Sequence, residues 1–391
     1  MSKEKYSPLM FLAALGPGGM AVTFFMYLMY IVPRDKKEFP IPTFDTLKEV
    51  CLSADTLMIM KAVIVFWVVW IIYFSFKHLQ LLVWNLKKYY EFKKTKEFEI
   101  LKTGNAEVTL MAEPLTFAMT VNVMFIIWAI FIPNLWSIVE YLFPGAVVAF
   151  TLVWILALKI FSEYFTRLIT QKWNADFVEN NNLWQLLSAF AFVMVWVGFA
   201  ASSAMSHNII TSTLGLVGST FFITLAVGVV ILKIIVWFKA ILRKWLDETA
   251  SPTLWIMIPI LTLIWITIVR NMHWLHTHFE SHYSAGSYII LTTIIISMQL
   301  VFGYLGYKVM KQNKYFENYI HWKEKNPWTF ALICPWVALV VFWFFFLHLG
   351  LVKTGVVDKF GIAYFILLAP IVYLQFKTIY VMLKLNKKFG L

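Results

Sequence analysis

The chain has 391 residues, of which 61% are hydrophobic and 18% aromatic while only 14% are charged, against about 45–50% apolar and about 25% charged in soluble domains. That much apolar surface cannot be hidden in a water-soluble globule, which excludes secreted enzymes, nucleic-acid binders and disulfide scaffolds. The formal charge of +12 must first be divided between the two sides of a membrane before it says anything about a partner.

Apolar stretches of about 20 residues recur along the chain, each long enough to cross a hydrocarbon core about 30 Å thick. The reading is all-α: a single transmembrane domain, 1–391, of ten spans at about 8–32, 57–78, 114–140, 143–165, 183–206, 209–238, 252–270, 285–307, 327–352 and 360–383. Lys3 and Lys5 before an apolar run imitate a signal peptide, but no small-residue cleavage pattern follows, so this run is expected to remain as span 1.

Numbering the connections alternately separates the charges. The termini and the loops after even spans carry 22 Lys and Arg, Lys377 counted with the C-terminal segment; Lys87, Lys88, Lys93, Lys94, Arg167, Arg243, Lys308 and Lys388 are among them. The opposite loops carry 7, with Arg270 assigned to the loop after span 7, and Lys61, Lys77, Lys159 and Lys233 fall inside spans. The excess predicts cytoplasmic termini. It also explains the basic balance as a topology signal rather than as a mark of the substrate.

The odd spans open alike, at Ser7-Pro8, Glu113-Pro114, Ser251-Pro252 and Asn326-Pro327, with Asn181-Asn182-Leu183-Trp184 a looser version at span 5. A capping side chain followed by proline suits a helix start, where the proline's missing N–H has no intrahelical partner anyway. The repeat unit is a helical hairpin, present five times. Pro17, Pro259 and Pro335 follow the opening prolines Pro8, Pro252 and Pro327 after nine, seven and eight residues, which places them about 10–14 Å into the helix at one common depth. Each is expected to free the carbonyl four residues back, at Ala13, Trp255 and Ala331, a group tolerated at membrane depth only against protein or a watery cavity. The same layer holds Gly16, Gly18 and Cys334, with Asn122 on span 3 and Phe190 and Phe192 on span 5.

The interiors of the odd spans contain no Lys, Arg, Asp or Glu, whereas the even spans carry charges that snorkelling accounts for. Odd spans offer Gly19, Thr120, Ser188, Ser202, Ser203 and Thr262 instead. Five inner odd helices surrounded by five even ones in quasi-five-fold arrangement follow from this division. Close packing of small residues is the competing explanation.

Two further sets of side chains could carry chemistry. Cys51 and Cys334 are too far apart in the topology to pair, and Cys334, beside a proline, could be a small buried hydrophobe or a functional thiol. His273, His276, His278 and His282, with Glu280, could bind zinc or copper on the external side if helical, or form a solvated polar loop. No phosphate-cradling glycine loop, Ser/His/Asp order or metalloprotease helix motif is present, so neither enzymatic activity nor a resident cofactor is expected.

The opening Ser7-Pro8 with Phe11 and Gly16-Pro17-Gly18-Gly19-Met20-Ala21, the aromatic-then-small span 5, Ser251-Pro252-Thr253-Leu254-Trp255 with Pro259, and the stretch from Trp328 to Pro335 resemble the superfamily of tellurite-resistance and C4-dicarboxylate transporters and plant slow anion channels. The resemblance implies a homotrimer of ten-helix protomers, each with its own pore inside five inner helices, in a bacterial inner membrane. It also implies an aromatic plug before the proline of span 9, where this chain has Cys334 after Phe330; Phe190, Phe192 or Trp336 could supply one instead. A remoter similarity is to membrane proteins associated with thiosulfate oxidation. The expected function is a channel or facilitator for a small anionic solute, with a gate near Cys334 and Pro335 and no nucleic acid as partner. The rival is a membrane redox, sulfur- or metal-handling protein using Cys334 and the histidines.

Overall fold

A computed structural model describes residues 6–35, 40–170, 183–241, 246, 248–279, 284–321 and 324–391. The described residues are helical, without strands, and ten of their helices are long and apolar enough to cross a membrane. In chain order they are span 1, Pro8–Ile31; span 2, Met58–Phe92; span 3, Asn105–Phe131; span 4, Leu135–Thr170; span 5, Leu186–Met205; span 6, Ile209–Ala240; span 7, Glu248–Phe279; span 8, Ala285–Gln312; span 9, Pro327–Val352; and span 10, Ile362–Phe389. The chain is an integral membrane protein.

Burial divides the spans by parity. Between 50 and 94% of the apolar stretch of each odd span is buried, against 22 to 33% for each even span. Contacts run from span 1 to 3, 3 to 5, 5 to 7, 7 to 9 and back from 9 to 1, while each even span packs on the odd span before it. An apolar side chain facing lipid loses nothing by exposure, so the even spans carry exposed Phe76, Leu152, Phe221, Tyr304 and Phe365, and polar atoms collect inside.

The helix starts are wound as expected at two places. Ser7 Oγ accepts from Leu9 N at 3.4 Å and Asn326 Oδ1 from Trp328 N at 3.0 Å, each followed by proline. The other two odd spans start earlier than their prolines, at Asn105 and Glu248. The proline layer also differs from expectation. Glu248–Ile256 and Pro327–Leu332 are 3₁₀ helices that give way to α-helix just before Pro259 and Pro335. In 3₁₀ winding each carbonyl bonds the N–H three residues on, so the proline nitrogen is not the donor that Trp255 or Ala331 requires.

Polar side chains of the even spans pin the inner helices. His78 of span 2 bridges the Ala14 carbonyl (Nδ1, 2.8 Å) and Thr120 Oγ1 (Nε2, 2.9 Å), joining spans 1 and 3. Gln299 of span 8 donates from Nε2 to the Ile258 carbonyl at 3.1 Å and to Thr262 Oγ1 at 2.7 Å, and Gln375 of span 10 donates to Thr23 Oγ1 at 3.0 Å. Inside lipid such bonds contribute about 0.6 kcal/mol each on average, and they fix which face of each odd helix turns inward.

Boundaries moved where a turn was overlooked. The span expected at 114–140 ends at Phe131, because Asn134 adopts φ 53 and its N–H is held by Asp45 Oδ2 at 2.8 Å, from the short helix Phe44–Leu52. Span 4 then starts at Leu135 and carries Pro144 within the helix. Span 7 runs to Phe279, beyond its expected end at 270.

Candidate functional site: a blind cavity inside the five odd spans

The five odd helices enclose a cavity of about 460 Å³. One face of each contributes at helical spacing: Gly16, Gly19, Met26 and Tyr30 from span 1; Met119, Asn122 and Ile126 from span 3; Phe190, Met194, Val197 and Ala201 from span 5; Pro259, Thr262, Ile266, Arg270 and His273 from span 7; Cys334, Ala338, Val341 and Phe345 from span 9. The lining starts at the layer of Leu15, Met119, Phe190, Pro259 and Cys334 and extends to Arg34, Met205, His273 and Leu349 at the other end. From Cys334 to Leu349 the helix rise is about 22 Å. Both termini lie on the membrane side away from this mouth, as ten crossings require.

Below this layer no described residue lines the cavity, and Leu12, Leu115 and Leu187 are buried there. Trp184, at the entry to span 5, meets Trp328 of span 9 with ring centroids 4.6 Å apart. Spans 5 and 9 are not neighbours in the ring, so this pair bridges it on the side of the termini.

Of the gate residues expected from the sequence, Cys334, Gly16, Asn122, Phe190 and Pro259 share the deep end of the cavity wall. Pro17, Pro335, Gly18, Phe192, Phe330 and Trp336 do not line it. Pro17 and Pro335 sit beside lining residues but on other faces of their helices. Gly18 faces outward, where an added Cβ would lie 2.6 Å from Met119 Cγ and 2.8 Å from His78 Nδ1. Phe192 packs against Phe161 at 5.1 Å and Phe222 at 6.3 Å, toward spans 4 and 6. Phe330 lies at the terminal end against Phe389, 5.0 Å away, and Trp336 packs edge-on to Trp255 at 4.6 Å. The helical period of about 3.6 residues explains these corrections: a conspicuous run such as Gly16-Pro17-Gly18-Gly19 presents different residues to different neighbours. Phe190 is the one aromatic candidate that meets the cavity near Cys334.

The histidines are dispersed. His273 lines the cavity mouth, with the His276 ring 6.3 Å from its own. His278 turns to span 6, its Nε2 3.4 Å from Ser212 Oγ and its ring 5.0 Å from Trp274. His282 and Glu280 lie outside the described residues. Among the described residues no three metal-ligating side chains gather.

The charge in the wall is the feature that sequence reasoning missed. Because span 7 continues past residue 270, Arg270 lies within a helix that lines the cavity rather than in a loop. Its Nη1 donates to the Val197 carbonyl of span 5 at 2.5 Å, and its guanidinium forms part of the wall. Arg34 lies at the mouth, held by the carbonyls of Met29 (2.7 Å) and Pro40 (3.1 Å). Burial lowers the Arg34 guanidinium to about 10, well above neutrality, so it remains charged. No Asp or Glu lines the cavity among the described residues. The deep end is weakly polar: Asn122 Nδ2 donates to the Met194 sulfur, 3.8 Å away, and the Thr262 hydroxyl is engaged by Ile258, Ala338 and Gln299. The helix pattern stopped at a charge, and only the His-rich continuation to Phe279 could have shown that Arg270 stays inside.

No family model, curated protein or solved structure matches the chain.

Proposed function

We propose that the protein is a facilitator for an anionic solute, which enters the cavity within the odd spans and leaves past the Trp184–Trp328 bridge. The observation that carries this reading is the Arg270 side chain in the cavity wall, with no carboxylate among the described lining residues. A cationic mouth above low-dielectric walls concentrates anions and repels cations. With the Lys and Arg excess on the terminal side, the termini are cytoplasmic and the cavity opens outward. The blind end makes this the closed form, with Phe190 and Cys334 at the floor and the tryptophan pair beyond them.

The resemblance to the tellurite-resistance, dicarboxylate-transporter and slow-anion-channel superfamily supports the same reading through its five inner helices, and it extends the proposal to a trimer in which every protomer has its own path. Anion efflux from liposomes containing the purified protein tests the function. Efflux faster than from empty liposomes, selective for anions over cations and reduced in Arg270→Gln, supports it. Efflux equal to that of empty liposomes, for both the wild type and an opened variant, removes it.

A further inference from the structure

The cavity is chemically divided along its length. Arg270 stands eleven residues beyond Pro259 on span 7, a rise of about 16 Å. Between these levels the wall is built largely of Leu263, Ile266, Met26, Val341 and Phe345. One contact to Val197 uses one of the five guanidinium N–H groups of Arg270, and no carboxylate of the described wall neutralises it. A cation beside apolar walls is costly without a counter-charge. A fully hydrated inorganic ion would answer the charge but gain nothing from the shaft, where Thr262 and Asn122 are the uncharged polar side chains among its described lining residues.

We propose that the cavity takes a single-chain amphiphilic anion, with its carboxylate or sulfonate on the Arg270 guanidinium and its alkyl body in the shaft descending toward Cys334. This rests on the anion-facilitator reading and adds the class of substrate. The head group stays where a guanidinium offers charge-assisted, bidentate hydrogen bonds. The tail replaces water in the shaft of a cavity that measures about 460 Å³ in all.

Calorimetric titration of the protein in zwitterionic nanodiscs with butyrate, hexanoate, octanoate and decanoate, corrected against empty nanodiscs, tests this. Affinity is expected to rise about fourfold per methylene. Arg270→Gln is expected to weaken every member at least about tenfold, whereas Val341→Trp, which fills the shaft, should abolish the gain in affinity from hexanoate to decanoate. Should Val341→Trp fail to fold, Ala338→Phe serves the same purpose. Affinity independent of chain length, or indifferent to Arg270, overturns the proposal; if Arg270-dependent efflux of inorganic anions persists, the facilitator reading survives that result. Loss of binding when the nanodisc contains phosphatidylglycerol also overturns it, since the site would belong to the bilayer's own lipid. Absence of both alkyl-anion binding and anion efflux defeats the facilitator reading itself.

Discussion

Arg270 donates from Nη1 to the carbonyl of Val197, 2.5 Å away, and so ties span 7 to span 5 at the level where the cavity opens. The bond holds the Arg270 side chain against the wall of the cavity that it helps to line.

Replacing that side chain should separate its field from this bond. Arg270→Gln keeps a donor for Val197 but removes the field, and anion efflux is expected to fall about tenfold or more while the melting temperature stays close to that of the wild type. Arg270→Lys should retain an intermediate rate. Arg34, brought down to about 10 by burial, loses its proton only above that value, so its contribution is fully present at lower pH. Efflux should therefore be flat between about pH 7.5 and 9; a decline within this window would show that another group sets the field.

Cys334→Ala should leave efflux equal or faster. The thiol sits at the deep end of the cavity, where shortening the side chain widens the floor without removing charge. The cost in stability is expected at about 1 kcal/mol, from the volume lost. Abolished activity with the fold intact would instead favour a reactive thiol.

Gly215→Ala tests the packing of span 6 on span 5. An added Cβ would stand 2.6 Å from the Phe199 carbonyl oxygen and 2.8 Å from the Ser203 nitrogen, both backbone atoms that cannot yield by a rotamer change. A loss of about 1–3 kcal/mol is expected in a denaturation assay in detergent. Gly228→Ala, with nothing within 4 Å of the new methyl, is the matched control and should change little.

Removing a clamp rather than adding bulk should affect the inner ring more gently. Gln299→Leu deletes the donor to Ile258 and Thr262, and a destabilisation of about 0.5–1.5 kcal/mol is expected by thermal unfolding. An unchanged melting temperature would mean that span 8 does not position span 7.

Ten helices and the parity of burial were legible because both follow from composition: odd spans gather small and weakly polar residues, and even spans are apolar along the faces they expose. Which residues face the cavity was less legible. Gly16, Asn122, Phe190, Pro259 and Cys334 were found through their common depth, which a linear sequence records. The azimuth of Gly18, Phe192 and Phe330 was not found, because it is set by partners such as His78, Phe222 and Phe389 on other helices. Span 3 was drawn too long across Pro133-Asn134, a turn signal outweighed by continuing hydrophobicity. Arg270 was missed for the converse reason: a charge was taken to mark the end of a span, when a helix lining a cavity can carry one inward. His78, Gln299 and Gln375 gave no sequence signal, since a single polar residue in an even span has no periodicity to betray its partner.

Efflux through Trp328→Ala measures the central claim most directly. Trp328 lies 4.6 Å from Trp184 across the ring, and its removal should loosen the closed end that separates the cavity from the terminal side. In liposomes the variant is predicted to release anions at least about tenfold faster than the wild type, with cation release unchanged and the added flux suppressed by Arg270→Gln in the same chain. A folded Trp328→Ala protein whose anion release matches the wild type, or whose flux ignores Arg270, would contradict a path through the centre of the five odd helices.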